Sequence, residues 1–173
     1  QVIDQCKDFR DVVVSLYDNE DIKAKIQAEF LPLLQDRNFK HIFIVSQLLN
    51  WIGLEFEAAF LRSVTGRDAY AELVRFREIA IDIFMLDDDN LQVRSAVFSE
   101  YLIQNHFTSF DVIECVYSII IEAVKRKRER RYQQILSNLM QVSTLTRALR
   151  KHPHHQGSLI ELFDRLHRDI DMN

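Results

Sequence analysis

Apolar residues in the first part of the chain recur at three- and four-residue steps, which is the spacing of one face of an α-helix. A first stripe runs from Val2 to Leu16, and a second runs from Ile22 to Leu33 with a proline near its end. Because proline interrupts helical hydrogen bonding, the second helix is expected to kink or end there. The pattern predicts an antiparallel helical hairpin, a lid-like unit over residues 1–37.

The segment that begins at Phe39 is apolar nearly all round, which is typical of a helix buried at the centre of a domain. Gly53 is placed to end this helix. A short helix that includes Phe56 is expected next, ending at Thr65 and Gly66, and a further helix is expected to open near Asp68. Three helices joined by very short turns are therefore predicted.

The spacing of the apolar positions then changes from a helical period to alternation. Met85 and Leu91 lie on either side of a run of turn-forming residues, Asp87-Asp88-Asp89-Asn90. This arrangement predicts a small two-stranded β-hairpin, after which Ser95 is expected to cap another helix. Helix, helix, helix, two-stranded wing, helix is the order of a winged-helix module, which we place at residues 38–107.

Thr108 and Asp111 form a capping box that predicts the start of a long helix. Its apolar stripe continues to Val124, is interrupted by a basic block at residues 125–131, and resumes at Ile135. Eleven residues are close to three helical turns, so the stripe resumes on nearly the same face. The basic block is therefore either a solvated waist on one long helix or a boundary between two helices.

The end of the chain is predicted to hold a loop and a last short helix. His152 to Gly157 combine Pro, Gly and histidines and indicate the loop, and an apolar stripe from Leu159 to Leu166 indicates the helix. Residues 108–173 are thus expected to form a helical arm, the start of a scaffold or sensor region. The fold class predicted for the whole chain is mainly α.

Composition supports this prediction. The 173 residues are 47% hydrophobic and 28% charged, with only three Gly and two Pro. A chain of this kind is neither disordered nor collagen-like, and it has too few turn residues for an all-β fold, which needs punctuation about every 8 to 12 residues.

Charge is distributed unevenly along the chain. Residues 125–173 carry 11 Lys or Arg and 5 Asp or Glu, a balance of +6, whereas residues 1–124 carry 11 basic and 21 acidic residues, a balance of −10. An acidic body repels phosphate backbones, so nucleic acid is not expected as a partner of that part.

Cysteine usage and hydropathy favour a cytoplasmic location. Cys6 and Cys115 lie far apart among apolar neighbours, with no spacing typical of a disulfide framework or a zinc site. No apolar run approaches the roughly 20 residues needed to span a bilayer, and no signal peptide is recognisable. We therefore expect no membrane partner. The chain opens on Gln1 inside a helical pattern, so we read it as a piece of a longer polypeptide.

No catalytic motif is present in the sequence. The patterns GxSxG, HExxH, GxGxxG and GxxxxGK[ST] do not occur, and three glycines are too few for a phosphate-cradling loop. We expect neither catalytic residues nor a bound cofactor in this segment.

Two groups of side chains are candidates for binding. The first is the basic block, which is either a solvated helix face or a contact for phosphate, nucleic acid or an acidic partner; its members are Lys125, Arg126, Lys127, Arg128, Arg130 and Arg131. The second is a histidine cluster, either solvated in a loop or able to hold a transition metal with His167 as a fourth ligand; its members are His152, His154 and His155.

Two segments resemble a known family. SQLLNWIGLEFEAAFLR at residues 46–62, closed by Gly66, and FMLDDDNLQVRSAVFSEYLI at residues 84–103 are similar to the winged-helix region after the P-loop domain of STAND-type signalling NTPases. The likeness is to the bacterial antiphage members of this family, which are fused to nuclease, sirtuin-like or other effector domains. The resemblance covers about 65 of the 173 residues.

The resemblance implies a role for this region. In the family, the winged helix packs on the nucleotide-binding domain, holds the resting state closed on nucleotide, and swings away when a sensor domain is engaged. Arg94 matches the Arg of the family's pattern and is the nucleotide-sensing candidate; the alternative is an ion pair with Asp87, Asp88 or Glu100. The implied partners are an intramolecular nucleotide-binding domain that holds ATP or ADP with Mg, and further copies of the protein on activation.

The leading hypothesis is a non-catalytic regulatory segment of a larger STAND-like NTPase that controls nucleotide-dependent autoinhibition and activation, with a role in antiviral defence. Its parent chain would be the ATPase. The alternative is a stand-alone helical module for protein–protein interaction, whose basic block docks an acidic partner.

Overall fold

The computed structural model describes residues 19–29, 33–75, 84–87, 90–93 and 95–171, and the chain is mainly helical in those ranges, as predicted. The helices, in chain order, are α1 (Glu20–Glu29), α2 (Arg37–Trp51), α3 (Ala58–Thr65), α4 (Ala69–Arg75), α5 (Ala96–Asn105), α6 (Ser109–Lys125), α7 (Arg130–Leu139), α8 (Val142–Leu149) and α9 (His155–Asp171), with a 3-10 turn at Leu33–Gln35. The strands are β1 (Phe56–Glu57), β2 (Phe84–Asp87) and β3 (Asn90–Val93). Of the predicted hairpin over residues 1–37, the first helix and Cys6 lie outside the described residues.

Helix α2 is the central element of the fold. Asp36 caps its first turn, because Oδ1 accepts hydrogen bonds from the backbone N–H groups of Asn38, at 3.0 Å, and Phe39, at 3.1 Å. From Phe39 nearly every side chain of the helix is buried, which confirms the prediction of a central helix. The helix ends at Trp51, and Gly53 follows with φ of +75°, a backbone conformation that favours glycine.

The turn after α2 differs from the prediction. Phe56 was expected in the short helix, but Phe56 and Glu57 form strand β1, and α3 begins only at Ala58. The end of α3 is as predicted: Gly66 adopts the left-handed conformation, with φ of +69°, and its N–H donates to the carbonyl of Arg62 at 2.8 Å.

The three strands form one antiparallel sheet in the order β1-β3-β2. Strand β2 pairs with β3, with Leu86 opposite Leu91, and β1 pairs with the other edge of β3, with Phe56 opposite Leu91. Among the residues that the structure describes, Phe56 and Glu57 supply an edge strand from between two helices, in addition to the two strands expected.

The second half of the chain contains more helices than the apolar stripe indicated. The capping box of α6 is present, with the Thr108 side chain accepting from the Asp111 N–H at 3.1 Å. Helix α6 ends at Lys125 and α7 begins at Arg130, so the basic block is the boundary between two helices and not a waist on one. Val142 opens a further helix, α8.

The predicted loop before the last helix is shorter than expected. His155 to Gly157 belong to the first turn of α9, which has 17 residues and is not the short helix predicted. The remaining turn contains His154, whose positive φ of 59° marks the reversal of the chain between α8 and α9.

The hydrophobic core is continuous from Phe39 to Leu166 and includes residues on both sides of the predicted boundary between residues 107 and 108. Helix α2 packs against α5 and α6, and the rings of Phe43 and Phe107 meet edge to face with centroids 6.1 Å apart. The helices after Thr108 therefore share one core with the preceding segment.

Candidate functional site

Arg94, the nucleotide-sensing candidate, lies outside the described residues. The structure does describe what flanks it: β3 ends at Val93, and Ser95 caps α5 by accepting the Phe98 N–H at 3.2 Å. Nucleotide sensing by Arg94 therefore stays a prediction, placed by sequence between the sheet and the first turn of α5.

Glu100, one turn into α5, belongs to a buried polar network. Its side chain is 4% exposed, and Arg147 of α8 approaches it with Nε 3.0 Å from Oε1. Gln104 donates from Nε2 to the same oxygen at 3.2 Å and to the Arg147 carbonyl at 3.1 Å. Arg150 donates to the Gln104 side chain at 3.1 Å. The network joins α5 to α8, one on each side of the predicted boundary.

A second buried polar cluster joins α2 to α5. Ser99 Oγ lies 2.6 Å from Gln47 Oε1, and Asn50 Nδ2 donates to Ser99 Oγ at 3.0 Å. All three side chains are buried. The sequence analysis described α2 as apolar nearly all round and did not predict this cluster, although Gln47 and Asn50, three residues apart in an apolar run, were a visible signal.

Three members of the basic block are engaged within the fold. Lys125 Nζ lies 2.7 Å from Glu122 Oε2, and Arg126 donates to the Tyr132 hydroxyl at 3.0 Å. Arg131, 29% exposed at its side chain, pairs with Glu57 and also donates to the Glu55 carbonyl. Arg131 thus fixes the start of α7 to strand β1.

The other three members face solvent. Lys127 and Arg128 are exposed on the turn between α6 and α7, and Arg130 is exposed at the first position of α7. Within the described ranges none of the three makes an ion pair. The block therefore divides into a paired set of three, of which Lys125 stays 64% exposed at its side chain, and an outer set of three exposed cations that is available to a partner.

The histidine cluster is not assembled as a metal site. His152 is buried, and its Nε2 lies 2.9 Å from the Ile103 carbonyl. His155 Nδ1 lies 3.1 Å from the His152 carbonyl, and His154 is exposed. In the part of the chain that the structure describes, no three His, Cys, Asp or Glu side chains are placed to hold a metal ion. His152 instead links the turn to the end of α5.

A cleft of about 630 Å³ lies where the start of α2, the end of α3 and the start of α6 meet, and sequence reasoning did not predict it. The side chains on its α2 side are Arg37, Asn38, Lys40, His41 and Ile44; the remainder are Thr65, Arg67, Phe110, Asp111, Glu114 and Cys115. These residues are spread over 79 positions, so the cleft has no local signature in the sequence.

An ion pair closes one wall of this cleft. Lys40 Nζ lies 2.6 Å from Asp111 Oδ2, and Thr108 donates to the same carboxyl group. Partial burial pushes the pKa of Asp111 upward, but the hydrogen bonds from Lys40 and Thr108 outweigh it and hold that pKa below its ordinary value. The capping box of α6 is thereby tied to α2.

Comparison of the chain with protein-family models, with curated proteins and with solved structures finds no match. Within the described ranges, none of the helices combines the length and the apolar character needed to cross a membrane.

Proposed function

We propose that this chain is a non-catalytic regulatory segment of a larger STAND-like NTPase, in which a winged-helix-like module at residues 38–107 controls nucleotide-dependent autoinhibition and activation. The nucleotide, ATP or ADP with Mg, is held by a separate domain of the parent, and the activated protein assembles with further copies. Antiviral defence is the proposed context, and the proposed location is the cytoplasm.

The observation that carries the proposal is the order of elements in the segment that resembles the family. Helix α2, strand β1, helices α3 and α4, and the β2–β3 hairpin follow one another and lead into α5. Strand β1, from between the first two helices, pairs with β3 and so attaches the hairpin to the helices. This topology supports a winged-helix-like module with a three-stranded sheet.

The helices after the module are attached to it firmly. The core is continuous between α2, α5 and α6, and the ion pair between Glu100 and Arg147 joins α5 to α8. Because rigid packed elements transmit displacement, a movement of the module would carry these helices with it. This coupling is what a segment linking a nucleotide-binding domain to a sensor needs.

The test uses the natural full-length polypeptide with Arg94→Ala, and Arg62→Ala as a matched control, because Arg62 is an exposed arginine on α3. The dissociation rate of a fluorescent ADP analogue and the extent of activation are measured. Arg94→Ala is expected to release nucleotide faster or to activate without the trigger, while Arg62→Ala behaves as wild type. Unchanged retention and activation in Arg94→Ala would remove the assignment.

A second candidate, a helical protein-interaction module, is favoured by the three outer cations of the basic block. Exposed charges attract an acidic partner over a distance that salt shortens. An interface through this surface is expected to weaken sharply between low and high ionic strength and on Lys127→Gln with Arg128→Gln. The control is Arg62→Gln with Arg168→Gln, which removes the same charge outside the basic block. An equal loss of affinity for the partner in this control would count against an interface at the basic block.

A further inference from the structure

The cleft between α2, α3 and α6 has the dimensions of a small-molecule site. Its volume of about 630 Å³ lies within the range of roughly 300–1,000 Å³ that is usual for ligand pockets. Its floor includes Ile44 and Cys115, both buried. Burial raises the pKa of the Cys115 thiol, so the floor carries no charge at neutral pH.

The charges around the cleft do not cancel. Its two carboxylates are both engaged, Asp111 with Lys40 at 2.6 Å and Glu114 with Arg165 of α9. Arg37 and Arg67 are exposed at the cleft, and neither forms an ion pair with any residue in the described ranges. Two guanidinium groups are therefore left as a surplus positive charge, in a segment whose overall charge is negative.

Two further side chains give the cleft a hydrogen-bond donor and an aromatic surface. His41 is half-buried at the cleft, and burial lowers its pKa, so at pH 7 its neutral ring offers one N–H donor. Phe110 lines the same cleft and is 70% exposed. The cleft thus presents cationic donors together with one open aromatic face.

We propose that this cleft binds a small phosphate monoester, with Arg37 and Arg67 holding the phosphate and Phe110 covering an aromatic or apolar remainder of the ligand. Guanidinium groups match phosphate oxygens in a bidentate geometry, which makes arginine suited to this role. A ring placed on Phe110 gains offset stacking as well as burial. The site is independent of the proposed function, because it involves neither Arg94 nor the basic block.

The test measures binding to the 173-residue chain by calorimetry, with inorganic phosphate and phenyl phosphate as probes. The double variant Arg37→Gln with Arg67→Gln is compared with Arg62→Gln with Arg168→Gln, which loses the same charge at exposed positions outside the cleft. We expect the cleft variant to bind both probes at least about tenfold more weakly, since one charged hydrogen bond is worth about that factor. The control variant is expected to keep wild-type affinity.

A third variant separates the two parts of the ligand. Phe110→Ala is expected to weaken phenyl phosphate several-fold and to leave inorganic phosphate unchanged. Proton NMR gives an independent readout, because titration with phosphate should shift the His41 ring signals and leave those of His106, which lies away from the cleft, in place. No binding of either probe by wild type, or equal binding by the cleft and control variants, would overturn the site.

Discussion

The ion pair between Glu100 and Arg147 offers a quantitative test of how α5 and α8 are joined. The Glu100 carboxylate is 4% exposed, whereas the Arg147 side chain is 45% exposed. Arg147→Met removes the guanidinium but keeps an unbranched stem beside Trp51, whose ring lies 5.2 Å from the guanidinium carbon. The variant therefore leaves a buried carboxylate without this cation while changing little of the packing.

Removing one partner of a buried ion pair costs about 3–5 kcal/mol when both groups are buried. Because Arg147 is partly exposed and Gln104 also donates to Glu100, we expect about 2 kcal/mol, below that range. The free energy of unfolding is measured by urea denaturation followed by circular dichroism.

A second substitution distinguishes a buried charge from a general loss of packing. Glu100→Gln in the Arg147→Met background removes the buried negative charge and is expected to restore about half of the lost stability. A change of less than about 0.5 kcal/mol in the free energy of unfolding on Arg147→Met would contradict a stabilising ion pair between Glu100 and Arg147. A loss of stability in the double variant equal to the sum of the losses in the two single variants would contradict it as well.

Three further predictions concern stability. Thr108→Ala removes the capping hydrogen bond of α6 and should cost about 1 kcal/mol in urea denaturation, whereas Ser109→Ala beside it should cost little. Gly66→Ala places a Cβ at φ of +69° and should lower the melting temperature, and an unchanged melting temperature would contradict the left-handed turn. Burial lowers the pKa of His106 below its ordinary value of 6.5, so the unfolded chain binds more protons just below pH 6.5 and stability should fall on acidification through that window. His106→Gln should make that fall smaller, and an unaltered pH dependence would contradict the assignment.

Features specified by neighbouring residues were predictable from the sequence. The capping box at Thr108 and the end of α3 at Gly66 depend on a few consecutive positions, and the structure has both as predicted. The buried helix α2 followed from its density of apolar residues. These predictions needed no knowledge of which distant segments meet.

Features that depend on distant contacts were missed or left open. Phe56 joins a strand because it pairs with Leu91, 35 positions later, which no local pattern shows. The boundary between α6 and α7 at residues 125–130 could not be recognised from the spacing of apolar residues. Val124 and Ile135 are eleven residues apart, which is close to three helical turns, so the apolar residues before and after the boundary fall on nearly the same face. The cleft was missed because α2, α3 and α6 each contribute side chains that look like ordinary surface charges.

The sequence of the natural polypeptide on the amino-terminal side of Gln1 is the measurement that decides whether this chain is part of a nucleotide switch. We expect a GxxxxGK[ST] loop there, between a strand and a helix, followed by a strand that ends in acidic residues. Such a domain would make this chain the regulatory segment of a nucleotide switch and Arg94 the residue to substitute. A natural polypeptide without that loop would contradict the proposal and leave the helical interaction module.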